Sequence, residues 1–204
     1  MAPLSPTANT AIASAYGSKS LEQKVRNKVA IQKELGWPME PKRPMVCLPA
    51  GMTDALGGEL LQQVLPGLLT LPIEMLILGK GSSAFGKLFT NLAKEHRHRI
   101  AIIPNKKEAV QAMLAAADMA LFLSNPGDLP ELTDCLRFGV VPITPACKTL
   151  EPYDAIQESG CAFTYDGSTP WHCFAAIVRA LETHQFPFDW RTIQRYCMES
   201  VQGS

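Results

Sequence analysis

The sequence predicts an α/β domain built on a doubly wound parallel sheet, and two observations carry that prediction. Six short runs, "MVCLP", "LPIEMLILG", "RIAIIP", "MALFLS", "GVVPIT" and "CAFTY", are apolar almost throughout instead of alternating with polar residues. That is the pattern of strands covered on both faces. Segments of helical periodicity separate successive runs, which is how parallel strands are connected.

Taken in order, the elements read as follows. Up to Ser20 the chain is rich in Ala, Ser, Thr and Pro without sustained periodicity, so residues 1–20 are expected to form a flexible N-terminal arm and residues 21–200 the folded domain. In "LEQKVRNKVAIQKELG", Leu21, Val25, Val29, Ala30 or Ile31, and Leu35 recur at helical spacing, charges fill the other face and Gly36 stops the helix. The apolar runs then alternate with helices expected near residues 59–69, 83–95, 107–117, 129–138, 152–158 and 170–182. The stretch "WRTIQRYCMES" after "HQFPFD" reads as a last helix with Asp189 as its N-cap.

Composition removes several classes of function. With 204 residues, 47% of them hydrophobic, the chain has the material for a sizeable core. Nineteen basic and nineteen acidic residues cancel, so electrostatics gives no reason to expect binding to nucleic acid or to an anionic membrane. The six cysteines lack C-x-x-C or zinc-type spacing; they read as reduced thiols acting as small hydrophobes, with no metal site. No window approaches the roughly 18 apolar residues of a membrane span, and the N-terminus lacks the basic and apolar regions of a signal peptide. A cytoplasmic location is expected.

In a doubly wound sheet, ligands bind outside the carboxyl ends of the strands. The loops there are "PAGMTDALGG", "GKGSS", "PNKKE", "SNPGDLPE" and "TPACKTLEP". The first joins a strand to a helix through glycines, a geometry suited to phosphate. Yet no Lys or Arg stands in "AGMTDALGG".

These segments, in this order, resemble the C-terminal, nucleotide-sugar-binding half of the bacterial glycogen synthase and plant starch synthase family, two-domain GT-B glycosyltransferases. "LEQKVRNKVAIQKELGW" is similar to the helix that opens that half, "IEMLILGKG" to its "LLGxG" strand and loop, "AAADMALFLS" to "AGADxxLxPS" and "CLRFGVVPI" to "ALRYGTLPI". "SGCAFTYDGSTPWHCFAAIVRALE" and "WRTIQRYCMES" resemble its late strand and closing helices, so the likeness covers about residues 16–200. The resemblance implies a Rossmann-like sheet. It also implies, as family reaction, retaining transfer of glucose from ADP-glucose to the non-reducing end of an α-1,4-glucan without metal or other cofactor.

The family's donor-site motifs are altered here. Against the family's "SRLTxQKG", whose Arg and Lys hold the ADP phosphates, the chain has "AGMTDALG": Gly51 stands at the Arg position and Leu56 at the Lys position, while Thr53 and Gly57 remain. Each lost charge-assisted bond is worth about 1.5–3 kcal/mol, whereas a helix N-terminus alone contributes about 0.3–1 kcal/mol. Against "SRFEPCGLTQ", whose Glu meets the sugar, stands the shorter "SNPGDLPEL", where Asp128 and Glu131 are the only nearby surrogates for that carboxylate. Against "RxTGGL" stands "PACKTL", whose Lys148 is read either as a phosphate contact or as a solvated loop lysine. "GKGSS" keeps most: Gly79 and Gly81 flank Lys80, which is able to supply the charge lost at Leu56 or simply to decorate a tight turn.

The remaining polar and aromatic residues carry little. His96 and His98 read as a solvated helix end, and His172 and His184 show no carboxylate or cysteine arrangement nearby that suggests a base or nucleophile. Trp171 and Trp190 fit helix starts docked on the sheet, with an aromatic glucan platform as the other reading. The family's N-terminal half, with its Lys-x-Gly-Gly motif, has no counterpart in these residues. Two functions are therefore expected: a glycogen/starch synthase-like C-terminal domain, weak or inactive alone and needing a separate N-terminal-type half, or a non-catalytic module that binds a protein or an α-glucan. The expected ligands are ADP or ADP-glucose and an α-glucan.

Overall fold

The computed structural model describes residues 4–167 and 169–201; residues 1–3 of the expected arm, Ser168 and residues 202–204 lie outside the described residues. Each apolar run supplies one strand of a single sheet: β1 (Met45–Leu48), β2 (Glu74–Leu78), β3 (Ile100–Ile103), β4 (Met119–Leu121), β5 (Val141–Pro145) and β6 (Phe163–Tyr165). The order is β3-β2-β1-β4-β5-β6 and every pairing is parallel, for example Val46 opposite both Met75 and Met119.

The helices are α1 (Lys24–Glu34), α2 (Gly58–Thr70), α3 (Ser83–Glu95), α4 (Lys107–Ala116), α5 (Pro130–Arg137), α6 (Pro170–His184) and α7 (Pro187–Ser200). The chain winds outward through α2 and α3, and α4 brings it back to lay β4 beside β1. Right-handed crossovers in the two directions place helices on both faces. Accordingly α1 lies against α4 and α5 against α7, while α2 lies against α6. Phe138, Leu61, Leu68, Met75 and Met113 are fully buried between these layers, each worth about 1.5–3 kcal/mol of transfer free energy. Three helices open on proline, which suits the first turn because its missing N–H would have no intrahelical partner.

Four expectations need correction. The helix α1 is seated by its polar side as well as its apolar one: Lys24, Asn27, Lys28 and Gln32 are buried, whereas Val25 is 40% exposed. Lys24 Nζ donates to the carbonyls of Leu114 (2.9 Å) and Ala115 (3.0 Å), satisfying the end of α4, so a charge-bearing stripe does the work that periodicity assigned to aliphatics. The described residues before Leu21 have no helix or strand of their own, but Tyr16 is 2% exposed and its hydroxyl donates to Phe138 O at 2.8 Å. The stretch is therefore anchored at that residue rather than loose there.

Residues 152–158 do not form a helix. Pro152 bridges Ala162 and Asp154 bridges Ser159, with left-handed Gly160 (φ +93°) turning the chain so tightly that a Cβ would meet Pro152 O at 2.2 Å. Finally α7 starts at Pro187, which moves Asp189 from the cap into the first turn, where an acid still complements the helix dipole.

Candidate functional site

Because all six strands run the same way, their carboxyl ends and following loops share one end of the sheet. The order reverses between β1 and β4, so the loops after these two strands flank the crevice where such sheets bind ligands.

In the loop after β1, Thr53 caps a short 3-10 turn (Asp54–Leu56) by accepting Leu56 N–H on Oγ1 at 3.3 Å. Gly57 then enters the left-handed region (φ +91°) and starts α2; a Cβ there would lie 2.5 Å from Leu123 O, in the loop after β4. Gly51 is left-handed too (φ +69°), and a Cβ on it would stand 1.9 Å from Lys80 O. The neighbouring Met52 N–H donates to that carbonyl at 3.1 Å, and Ser82 N–H donates back to Met52 O at 3.0 Å. Gly81 (φ +126°) completes the contact, since a Cβ would reach 2.0 Å from Met52 O.

The glycines predicted to admit a ligand are thus occupied in joining one strand-end loop to the next. Gly51 has neither the space nor the backbone conformation for any side chain. Gly79 belongs to the same set: its N–H donates to Ile103 O at 2.8 Å, tying the loop to the end of β3.

Lys80 and Glu131, taken from separate motifs, are brought together. Lys80 Nζ lies 2.8 Å from Glu131 Oε1, with the lysine side chain half exposed and the glutamate's largely covered. The pair lines a cavity of about 130 Å³ together with Pro49, Leu78, Asn105, Leu114 and Asp134. Desolvation raises the Asp134 carboxyl above its ordinary value, with Arg137 opposing the shift. Asp128 is exposed in the turn after β4, where Gly127 N–H donates to Asn125 Oδ1 at 2.9 Å. Lys148 is exposed in the turn after β5 and makes no ion pair among the described residues. The two turns adjoin, for a Cβ on Gly127 would lie 3.4 Å from Cys147 Sγ.

The opposite, amino end of the strands holds the charge that sequence reading missed. Asp118 Oδ2 accepts Lys28 Nζ at 2.5 Å and Met45 N–H at 2.8 Å. It also lies 3.5 Å from His184 Nε2, a contact that the sequence reading did not include. Burial by itself would raise the Asp118 carboxyl, but Lys28 and His184 outweigh it and hold it well below the usual carboxylate range. Burial lowers Lys24 to about 7. Glu74, buried on β2, is met by Gln32 Nε2 at 2.8 Å and is raised by desolvation. A groove of about 720 Å³ opens beside this network, bordered by Trp190, Leu181 and Pro72. The signal was present in the sequence: an acid inside an apolar run, as in "AADMA" or "IEML", cannot be buried without a partner.

Trp190 is buried as expected, but Trp171 in the first turn of α6 is 80% exposed rather than docked. Among the described residues, no group of three His, Cys, Asp or Glu side chains lies close enough to hold a metal. No described helix is long and apolar enough to cross a membrane.

No family model matches the chain. It is 29% identical over 203 residues to glycogen synthase 1 of Synechocystis sp., a match covering 96% of this chain and 42% of that protein. It is 30% identical over 183 residues to the glycogen synthase of Anaeromyxobacter dehalogenans, covering 86% and 38%. The chain therefore spans about two fifths of the length of these curated relatives. Its fold matches the catalytic domain of starch synthase IV from Arabidopsis thaliana, a structure bound to ADP and acarbose, with TM-score 0.82 at 19% identity, over 95% of this chain and 42% of that one. The chain is thus related in sequence to glycogen synthases, and its fold resembles the Rossmann-like C-terminal half of a GT-B glycosyltransferase.

Proposed function

We propose that the chain is a glycogen/starch synthase-like C-terminal domain whose nucleotide-sugar site keeps its backbone shape but binds its donor weakly, so that alone it transfers little or no glucose from ADP-glucose to an α-1,4-glucan. The observation that carries this reading is Gly51. At the position of the family's phosphate-binding Arg, the backbone is left-handed and pressed against Lys80 O, so no cation stands there. Leu56 removes the second cation, and Lys80 is already paired with Glu131. Two lost charge-assisted bonds at about 1.5–3 kcal/mol each amount to several orders of magnitude in donor affinity. Asp128 and Glu131 are poor substitutes for the family's carboxylate, since one is exposed on a turn and the other engages Lys80.

Calorimetric titration of the purified chain with ADP and ADP-glucose, with UDP as control, tests this. Millimolar dissociation constants or no heat is the expected result. Micromolar, ADP-selective binding would overturn the weak-site reading and assign Lys80, Lys148 or backbone N–H groups to the phosphates. Catalysis in that case calls for a partner half carrying the Lys-x-Gly-Gly motif.

A second reading, a non-catalytic module that binds an α-glucan, is favoured by Trp171. This indole is 80% exposed in the first turn of the helix that follows β6, on the same end of the sheet as the donor loops, and an exposed aromatic face is suited to the apolar face of a sugar ring.

A further inference from the structure

We propose that Glu131 is an internal counter-anion for Lys80: an autoinhibitory contact that occupies the cation of the β2 loop and must open before a diphosphate can use it. The proposal rests on the reading of the strand-end loops as a nucleotide-sugar site. It adds a cause of weak binding that is reversible, unlike the missing side chains at Gly51 and Leu56.

The backbone of Lys80 is fixed. Its N–H donates to Leu78 O at 2.7 Å and its carbonyl accepts Met52 N–H at 3.1 Å, while Gly79 and Gly81 on either side are tied to β3 and to the β1 loop. Only the side chain is free to move, and it is half exposed. Glu131 is the more constrained partner: it sits in the first turn of α5 behind Pro130, with its side chain 18% exposed. The next cation along α5, Arg137, lies 3.5 Å from Asp134 instead, leaving Lys80 as the glutamate's ion-pair partner among the described residues.

Both residues of the pair line the cavity of about 130 Å³. A diphosphate approaching the β1 and β2 loops meets a lysine whose charge is already neutralised, and a carboxylate that repels it. A half-exposed pair is weak in stability terms, so an incoming anion of higher charge is able to displace the carboxylate, at a cost in affinity.

Binding of ADP, UDP and inorganic pyrophosphate to the wild-type chain, Glu131→Gln, Glu131→Ala, Lys80→Met and the double variant Lys80→Met/Glu131→Gln tests the lock. Thermal unfolding serves as the folding control. The expected result is that both Glu131 variants bind ADP and pyrophosphate about fivefold or more tightly than wild type. The gain should disappear in the double variant, because it acts through Lys80.

Glu131 variants that bind like wild type, or that bind no probe at all, overturn the lock. So does a gain that survives removal of Lys80, which would make the effect one of general charge. The two readings fail separately. A gain in variants that bind ADP, UDP and pyrophosphate with equal affinity keeps the lock and removes the nucleotide-sugar assignment, whereas ADP-selective binding by wild type with no gain in the Glu131 variants keeps the assignment and removes the lock.

Discussion

At the amino end of the strands, Lys24, Lys28, Asp118 and Glu74 are buried and each meets at least one partner. At the carboxyl end, where the fold places a ligand, the loops are held together by glycine backbone and the ion pair between Lys80 and Glu131 stands at the surface. Density of buried charge is often taken to mark a functional site, but here it marks the attachment of α1 to the sheet. Topology points to the other end, where the charges are sparse. The lesson is that partner identity decides what a charged cluster does: carbonyls at a helix end and a strand N–H make the amino-end network structural.

Breaking the amino-end network should produce the largest effect on stability. Asp118→Asn leaves Lys28 buried without its counter-ion and weakens the acceptor for Met45 N–H. Removing one partner of a buried pair costs about 3–5 kcal/mol, so the variant should show a large drop in the urea midpoint. A loss below about 1 kcal/mol would mean that the network is not what seats α1. The same carboxylate gives an acid limit: its pKa is held low in the fold, so its contribution is fully present above the ordinary Asp value and is lost as pH falls below it.

How much of this was legible in the sequence follows from the same contrast. The sheet was readable because both faces of every strand are covered, leaving apolar runs such as "IAII" and "MAL" that need no long-range information to recognise. The strand-end loops were readable from topology, since a parallel sheet puts them all at one end. The seating of α1 was not, because Lys24 and Lys28 take their partners from residues some 90 positions away and periodicity assigns lysines to solvent. His184 escaped for the same reason, its carboxylate lying on the far side of two crossovers. The helix expected at 152–158 failed on local chemistry, since Gly160 and two isolated bridges fold the segment back on itself. At Gly51 the sequence shows only that no cation is present, whereas the structure gives a physical reason why none can simply be placed there.

That reason yields the next prediction, at the carboxyl end. Gly51→Arg restores the family's side chain at a left-handed residue whose Cβ would overlap Lys80 O. It should cost about 2–4 kcal/mol and fail to improve ADP binding. Leu56→Lys is the useful contrast: its backbone carries no such constraint, its side chain is only partly buried, and it should tighten ADP binding about tenfold. Thermal unfolding and calorimetry on the two variants separate a site lacking charge from one whose loops have closed over the position. Tighter ADP binding in a stable Gly51→Arg would show that the interlocked loops yield.

The smallest effect is a slope. Burial lowers the Lys24 ammonium from 10.5 to about 7, so between those values the unfolded chain binds a proton that the folded chain has released. Stability therefore rises with pH across that window, by at most about 1.4 kcal/mol per unit from this one group; below about pH 7 both states are protonated and the slope vanishes. Asp118 pulls the lysine back toward its ordinary value while Lys28 pushes it further down, so the slope reports the whole amino-end cluster. It is best read between pH 7 and 8, because above that the thiols of the unfolded chain ionise, and burial of Cys135 and Cys197 in the fold raises theirs, adding a slope of opposite sign. Urea unfolding at pH 7.0, 7.5 and 8.0 should show the rise in the wild-type chain and a flat profile in Lys24→Met. Equal slopes in the two would mean that Lys24 stays charged throughout, held by the Leu114 and Ala115 carbonyls, and that burial in this network costs the ammonium little because its acceptors replace water.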